Sequence, residues 1–128
     1  MYPTDYLYSK DHEWLRVEGD EAVLGITHFA QDELGEVVFV ELPEPGESFD
    51  AHSEVGTIES VKAVAEVYTP VSGEIVEVNA GLVDDPSAIN ETPHDKGWLL
   101  KIRLTDRSEL DELMDSEAYE AFASGEGD

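Results

Sequence analysis

The chain has no cysteine, which excludes a disulfide framework, a thiolate metal site and a cysteine nucleophile. Basic residues are scarce: 7 Lys and Arg stand against 31 Asp and Glu, a formal net charge of -24. Such a balance argues against nucleic acid as a partner, because that binding depends on neutralising phosphates with Lys and Arg. Anionic membrane surfaces are disfavoured for the same reason. No apolar run approaches membrane-spanning length, and Met1-Tyr2-Pro3-Thr4-Asp5 lacks a basic region followed by an apolar one, so a soluble, cytoplasmic protein is expected. Also missing are a phosphate-binding glycine loop, a dinucleotide glycine fingerprint and a glycine-flanked nucleophilic serine. An enzyme with its own active site therefore finds no support. His12, His28, His52 and His94 are too dispersed for metal-ligand spacing, and no metal is expected.

What is present points to a folded protein. Hydrophobic residues make up 41% of the 128 positions and aromatics are spread along the chain, enough for one modest core. A single domain over residues 1–128 is expected, with its core at about 6–122 and a frayed end at 123–128. The negative charge repels itself unless salt screens it, and at 1 M salt the screening length falls to roughly 3 Å. A halophilic protein from a salty cytosol is the reading this favours.

The pattern along the chain is mostly β. Residues 13–18 alternate around Trp14 and Leu15, Gly19-Asp20 supplies a turn, and residues 22–26 return as a second strand. Thr27 caps a short helix running to about Leu34, with Gly35 suited to a left-handed cap. Residues 37–42 form a nearly continuous apolar run, expected to be a strand buried on both faces. Three short strands follow over 53–79, then a turn-rich stretch over 80–94. Residues 98–104 read as a final strand. Ser108 is a plausible N-cap, and Leu110, Leu113, Met114, Ala118, Ala121 and Phe122 recur at helical spacing as a core-facing stripe. The sum is a small β barrel-sandwich with a short helix after the first hairpin and a C-terminal helix.

Lys62, one of four lysines, stands out. Two-residue hairpin turns usually carry Asn, Asp or Gly because φ is positive there, yet Val61-Lys62 puts a β-branched residue and a long cation at the bend. Glu59-Ser60-Val61-Lys62-Ala63 resembles the lipoyl-attachment motif of the glycine cleavage system H proteins. The likeness continues through His12-Glu13-Trp14, Gly25-Ile26-Thr27, Ala30-Gln31, Gly35-Glu36-Val37-Val38-Phe39-Val40-Glu41-Leu42-Pro43, Pro70-Val71-Ser72-Gly73-Glu74, Val76-Glu77-Val78-Asn79, Asn90 and Gly97-Trp98. One departure is His94, which follows Pro93 where that family usually has Tyr. Gly46, sixteen residues before Lys62, and Gly73, eleven after it, fit the wider lipoyl and biotinyl carrier pattern.

The resemblance implies a flattened barrel-sandwich hybrid, mainly β, with lipoate covalently on Lys62 at an exposed hairpin tip. It implies a non-catalytic shuttle that carries the aminomethyl group of glycine between enzymes. Its partners would be a pyridoxal-phosphate glycine decarboxylase, an aminomethyltransferase using tetrahydrofolate and an FAD-dependent dihydrolipoyl dehydrogenase. A lipoate ligase or lipoyl transferase would attach the arm. Glu59, Ser60, Val61 and Ala63 would present the lysine, and Glu13, Glu66 and Asp11 would line the cleft where the arm docks. The lipoyl domain of a 2-oxoacid dehydrogenase is the nearest rival, but it would usually carry Asp before the lysine, where this chain has Val61. A non-lipoylated binding or scaffold protein is the alternative from another class.

Overall fold

A computed structural model describes residues 2–126. The first half contains β1 (Leu7–Tyr8), β2 (Glu13–Glu18), β3 (Glu21–Ile26), α1 (His28–Leu34), β4 (Val37–Glu41), β5 (Ser48–Phe49) and β6 (Glu54–Ser60). The second contains β7 (Val64–Tyr68), β8 (Gly73–Val78), α2 (Gly81–Asp84), α3 (Ser87–Glu91), β9 (Leu100–Leu104), a 3-10 helix (Arg107–Glu112) and α4 (Ser116–Glu126). One antiparallel sheet runs β1-β2-β3-β9-β8-β5 and a second runs β4-β6-β7. The protein is a flattened two-sheet sandwich.

Strand alternation sorts the side chains. Leu15, Leu24, Ile75 and Ile102 of the larger sheet meet Val40, Ile58 and Val67 of the smaller one in a single buried core. The alternate residues Trp14 and Val23 turn to the other face, where Tyr6, Tyr8, Tyr119 and Ala123 complete a second, largely aromatic cluster. Trp14 pairs in register with Gly25, and a Cβ on Gly25 would lie 2.5 Å from the indole. Glycine is required there by the ring, whose Nε1 donates to Pro93 O at 2.9 Å. Tyr8 and Tyr119 stack at 4.9 Å, fastening α4 to the sheet. Truncating a buried aromatic of this size costs about 3–5 kcal/mol.

Thr27 caps α1 as the sequence indicated, its hydroxyl accepting from Ala30 N, and Gly35 follows at φ 81. Several expectations are corrected. β4 is not buried on both faces: Val37 and Val40 are covered, but Val38 and Phe39 are 46% and 48% exposed. A bulge between Val37 and Phe39 breaks the alternation, and this sheet has three strands with β4 at its edge. The stretch 80–94 holds two short helices, because Pro86 and the Asp85 carboxylate, which accepts from Ser87 N, start a new turn. The final strand begins at Leu100, after Trp98 and Leu99. Asp106, not Ser108, caps the 3-10 helix. Within α4 the buried face is Tyr119 and Ala123, whereas Ala118 and Ala121 are exposed. The helix also continues through Glu126, so 123–126 are not frayed; residues 127 and 128 lie outside the described residues.

Candidate functional site: a lysine hairpin beside an acidic cleft

β6 and β7 pair up to Glu59↔Val64, and Ser60 N donates to Ala63 O at 2.8 Å. Val61 and Lys62 form the two-residue tip. Among the described residues only His12 and His52 combine a side chain with positive φ, so the bend avoids the conformation that excludes β-branched residues. Ser60 makes this possible: its buried hydroxyl accepts from Lys62 N at 3.3 Å and Ala63 N at 3.0 Å. The side chain thus stands in for a turn carbonyl.

The tip is also tied sideways. Val61 N donates to Glu36 O at 3.0 Å. Asn90 Oδ1 accepts from Val37 N, and Asn90 Nδ2 donates to Gly35 O, both at 2.9 Å. These bonds hold the strap 35–37 under the lysine. A Cβ at Gly35 would lie 3.4 Å from Lys62 Cε, so the lysine methylenes rest over the bare glycine while the residue itself stays exposed.

A cleft of about 290 Å³ lies between α1 and β7, with Leu34, the residue before Gly35, in its wall. Ala30, Leu34, Ile58 and Ala65 give it apolar walls, and Asp11, His12, Glu13, Glu33 and Glu66 bring polar groups to it. Glu13 and Asp11, on one segment, therefore meet Glu66 of β7 around one hollow. Their environments differ: Glu66 and Asp11 are exposed, but Glu13 is 2% exposed. A larger hollow of about 430 Å³ lies beyond Asp11 against Lys10, His52 and Glu112, and no hairpin residue lines it.

Burial pushes the Glu13 carboxyl up to about 7; the Ser9 hydroxyl opposes this, the Asp11 charge adds to it, and the Tyr68 N–H opposes it. Ser9 Oγ donates to Glu13 Oε1 at 2.6 Å and Tyr68 N to Oε2 at 3.2 Å. Near neutral pH the group is thus divided between acid and carboxylate, poised to exchange a proton. His12 walls the cleft with its ring stacked on Phe29 at 4.5 Å. Its Nδ1 lies 2.7 Å from Tyr119 OH, which is also 2.7 Å from Thr27 Oγ1. α4 therefore braces the cleft from behind. Ser9, Phe29 and Asn90 were not singled out as site residues from sequence. Asn90 stands among the residues that carry the family resemblance, and Ser9 left a local trace, a serine four residues before the acid it binds.

His94 is half-buried and Tyr2 lies against its ring. Its Nε2 accepts from His28 N at 3.0 Å, at the start of α1. Burial holds it down to about 4, and the nearby His28 pushes the same way. It is a packing residue that caps the cleft helix rather than a free surface group.

A two-sheet sandwich that mounts a lysine on a pinned hairpin is a carrier domain of the lipoyl and biotinyl kind. Residues 6–126 match the glycine cleavage H-protein family. The chain is 52% identical over 120 residues to the glycine cleavage system H protein of Symbiobacterium thermophilum, covering 94% of each chain. It is 52% identical over 122 residues to that of Geobacillus thermodenitrificans, covering 95% of this chain and 96% of that one. The crystal structure of a glycine cleavage system H protein from Mycobacterium marinum superposes with a TM-score of 0.86 at 39% identity, covering 98% of this chain and 99% of that one. The chain belongs to the glycine cleavage H-protein family, the lipoyl carriers of the glycine cleavage system.

Proposed function

We infer that Lys62 carries lipoate in amide linkage at Nζ, and that the chain acts as one non-catalytic carrier domain. The observation that carries this reading is the pinned hairpin with the Lys62 methylenes over Gly35, next in sequence to Leu34, a wall of the apolar cleft that also holds Glu13. Gly35 lies six positions beyond Phe29, at the end of α1, roughly 9 Å at the helical rise, which suits an octanoyl-length chain. Apolar walls fit its hydrocarbon and the acidic end fits an amine. Bound there, lipoate supplies the dithiolane that takes up the aminomethyl group of glycine.

The protein's own residues hold and protect. Glu59, Ser60, Val61 and Ala63 present the lysine to a lipoate ligase or lipoyl transferase. Glu13, with Glu66 and Asp11 nearby, keeps a proton on an amine seated in the cleft. A nitrogen held as ammonium has no lone pair with which to expel a sulfur from the carbon they share. The buried acid gives its proton to a neutral amine, and the resulting carboxylate remains as the counter-ion.

The enzymes that meet this carrier in turn are the pyridoxal-phosphate glycine decarboxylase, the tetrahydrofolate-dependent aminomethyltransferase and the FAD-dependent dihydrolipoyl dehydrogenase. Their contacts are small and transient, and the net charge of -24 makes them salt-dependent. The same charge supports a cytoplasm rich in salt as the working compartment. No described helix is long and apolar enough to cross a membrane.

Incubation with lipoate, ATP and a lipoate ligase, followed by peptide mass spectrometry, tests the assignment. One lipoyl group is expected on Lys62, with Lys10, Lys96 and Lys101 unmodified. A Lys62→Arg protein that is still lipoylated refutes it.

A further inference from the structure

Ser9 is 8% exposed and its hydroxyl occupies the centre of the loop between β1 and β2. Asp11 N donates to it at 3.3 Å and Glu13 N at 3.2 Å, and it lies 2.6 Å from Glu13 Oε1. A serine hydroxyl has one proton and two lone pairs. With both lone pairs occupied by N–H groups, its proton is committed to Glu13 Oε1. The loop that creates this arrangement is itself fixed: Ser9 N donates to Glu13 O at 2.9 Å and His12 N to Ser9 O at 3.1 Å. His12 is held at φ 67, where a residue with a side chain is uncommon. Glu13 Oε2 has other surroundings. It receives Tyr68 N from β7, the strand whose Glu66 and Val67 wall the cleft.

We propose that Ser9 is a positioning residue that keeps Glu13 Oε1 as an acceptor only, so that Oε2, on the β7 side, is the oxygen that exchanges a proton with an amine in the cleft. In the transfer the Oε2–H bond breaks, the amine lone pair forms a new N–H bond, and the electron pair stays on the carboxylate. Nothing is oxidised or reduced. The titratable groups around Glu13 are Asp11 and His12 on its own segment, Glu33 on α1, and Glu66 and the Tyr68 phenol on β7. The inference rests on the guarding role given to Glu13 above.

Two measurements separate the two claims. In the full chain with Lys62 unmodified, the carbon-13 shift of the Glu13 carboxyl is followed against pH. Ser9→Ala should raise its midpoint by about one unit, because a donor to the charged form is lost, and Ser9→Thr should titrate like wild type. An unmoved midpoint in Ser9→Ala overturns the proposal. If that variant does not fold, Ser9→Cys replaces it, a thiol being a weak donor, with the same rise expected and the same unmoved midpoint refuting it.

The second measurement uses lipoylated, enzymatically loaded protein freed of the decarboxylase, and follows ammonia release without tetrahydrofolate. Release should be several-fold faster in Ser9→Ala and near the wild-type rate in Ser9→Thr. A displaced Glu13 midpoint with unchanged release would keep Ser9 as the residue that orients Glu13, and would overturn instead the guarding role of Glu13.

Discussion

Replacing Glu13 by glutamine should stabilise the protein at neutral pH and destabilise it in acid. The folded state raises this carboxyl from 4.5 to about 7, so it holds the proton more tightly than the unfolded chain does. The stability linked to that proton is complete below the unfolded value of 4.5 and is lost as pH rises towards 7. A shift of this size corresponds to about 3 kcal/mol lost by pH 7, at 1.36 kcal/mol per unit. The Glu13→Gln protein escapes that loss because an amide does not ionise. It gives up one good hydrogen bond, since the new NH2 group must face either Tyr68 N–H or a serine oxygen already accepting two donors, at a cost of about 1 kcal/mol. The variant should therefore be about 2 kcal/mol more stable at pH 7 and about 1 kcal/mol less stable at pH 4, with the curves crossing at about pH 5. Urea unfolding read by tryptophan fluorescence is a suitable assay, because Trp14 is 0% exposed. Holding 2 M potassium chloride throughout screens the general acidic repulsion, and the difference between the two proteins isolates position 13. A constant difference from pH 4 to 8 would refute the reasoning, since it would mean that Glu13 titrates alike folded and unfolded.

His94 is lowered to about 4 and accepts from His28 N, so the stability it supports is complete above 6.5 and falls as pH drops towards 4. After allowance for its partial exposure the loss is about 1–2 kcal/mol, and in His94→Gln, which keeps an acceptor, this part of the pH dependence should disappear from urea midpoints. Gly35→Ala forces a side chain into φ 81 and against Lys62 Cε. It should cost about 1–3 kcal/mol and slow lipoylation, whereas an unchanged melting temperature would show that the strap relaxes freely. Melting temperature should also climb with potassium chloride into the molar range, because -24 on 128 residues repels itself wherever screening is weak; a flat or falling series contradicts the high-salt reading.

Local signals were legible where the physics is local. The first hairpin follows from alternation on either side of Gly19-Asp20, and α1 follows from a threonine cap and a closing glycine. The reading failed at β4 because an apolar run does not reveal how many strands its sheet will have. With β4 at the edge of three strands, Val38 and Phe39 remain open. It failed in α4 because helical spacing admits several registers. The stack of Tyr119 on Tyr8 selects one of them.

The sequence by itself determined the acidic, cysteine-free character, the β-rich pattern and the lysine at a hairpin tip, because composition and short-range periodicity suffice for each. By resemblance it also named Glu13, Glu66 and Asp11 as acids lining the arm's cleft, but not how each is solvated, since charge is written in the residue and solvation is not. Tertiary structure decided which acid would be buried. Glu13 Oε2 accepts from Tyr68 N, 55 residues away, and the cleft helix is braced by a hydroxyl contact between Thr27 and Tyr119, 92 residues apart. Desolvation and hydrogen-bond direction are properties of what surrounds a group. In this chain those surroundings are assembled only when the two sheets close and α4 docks against the larger one.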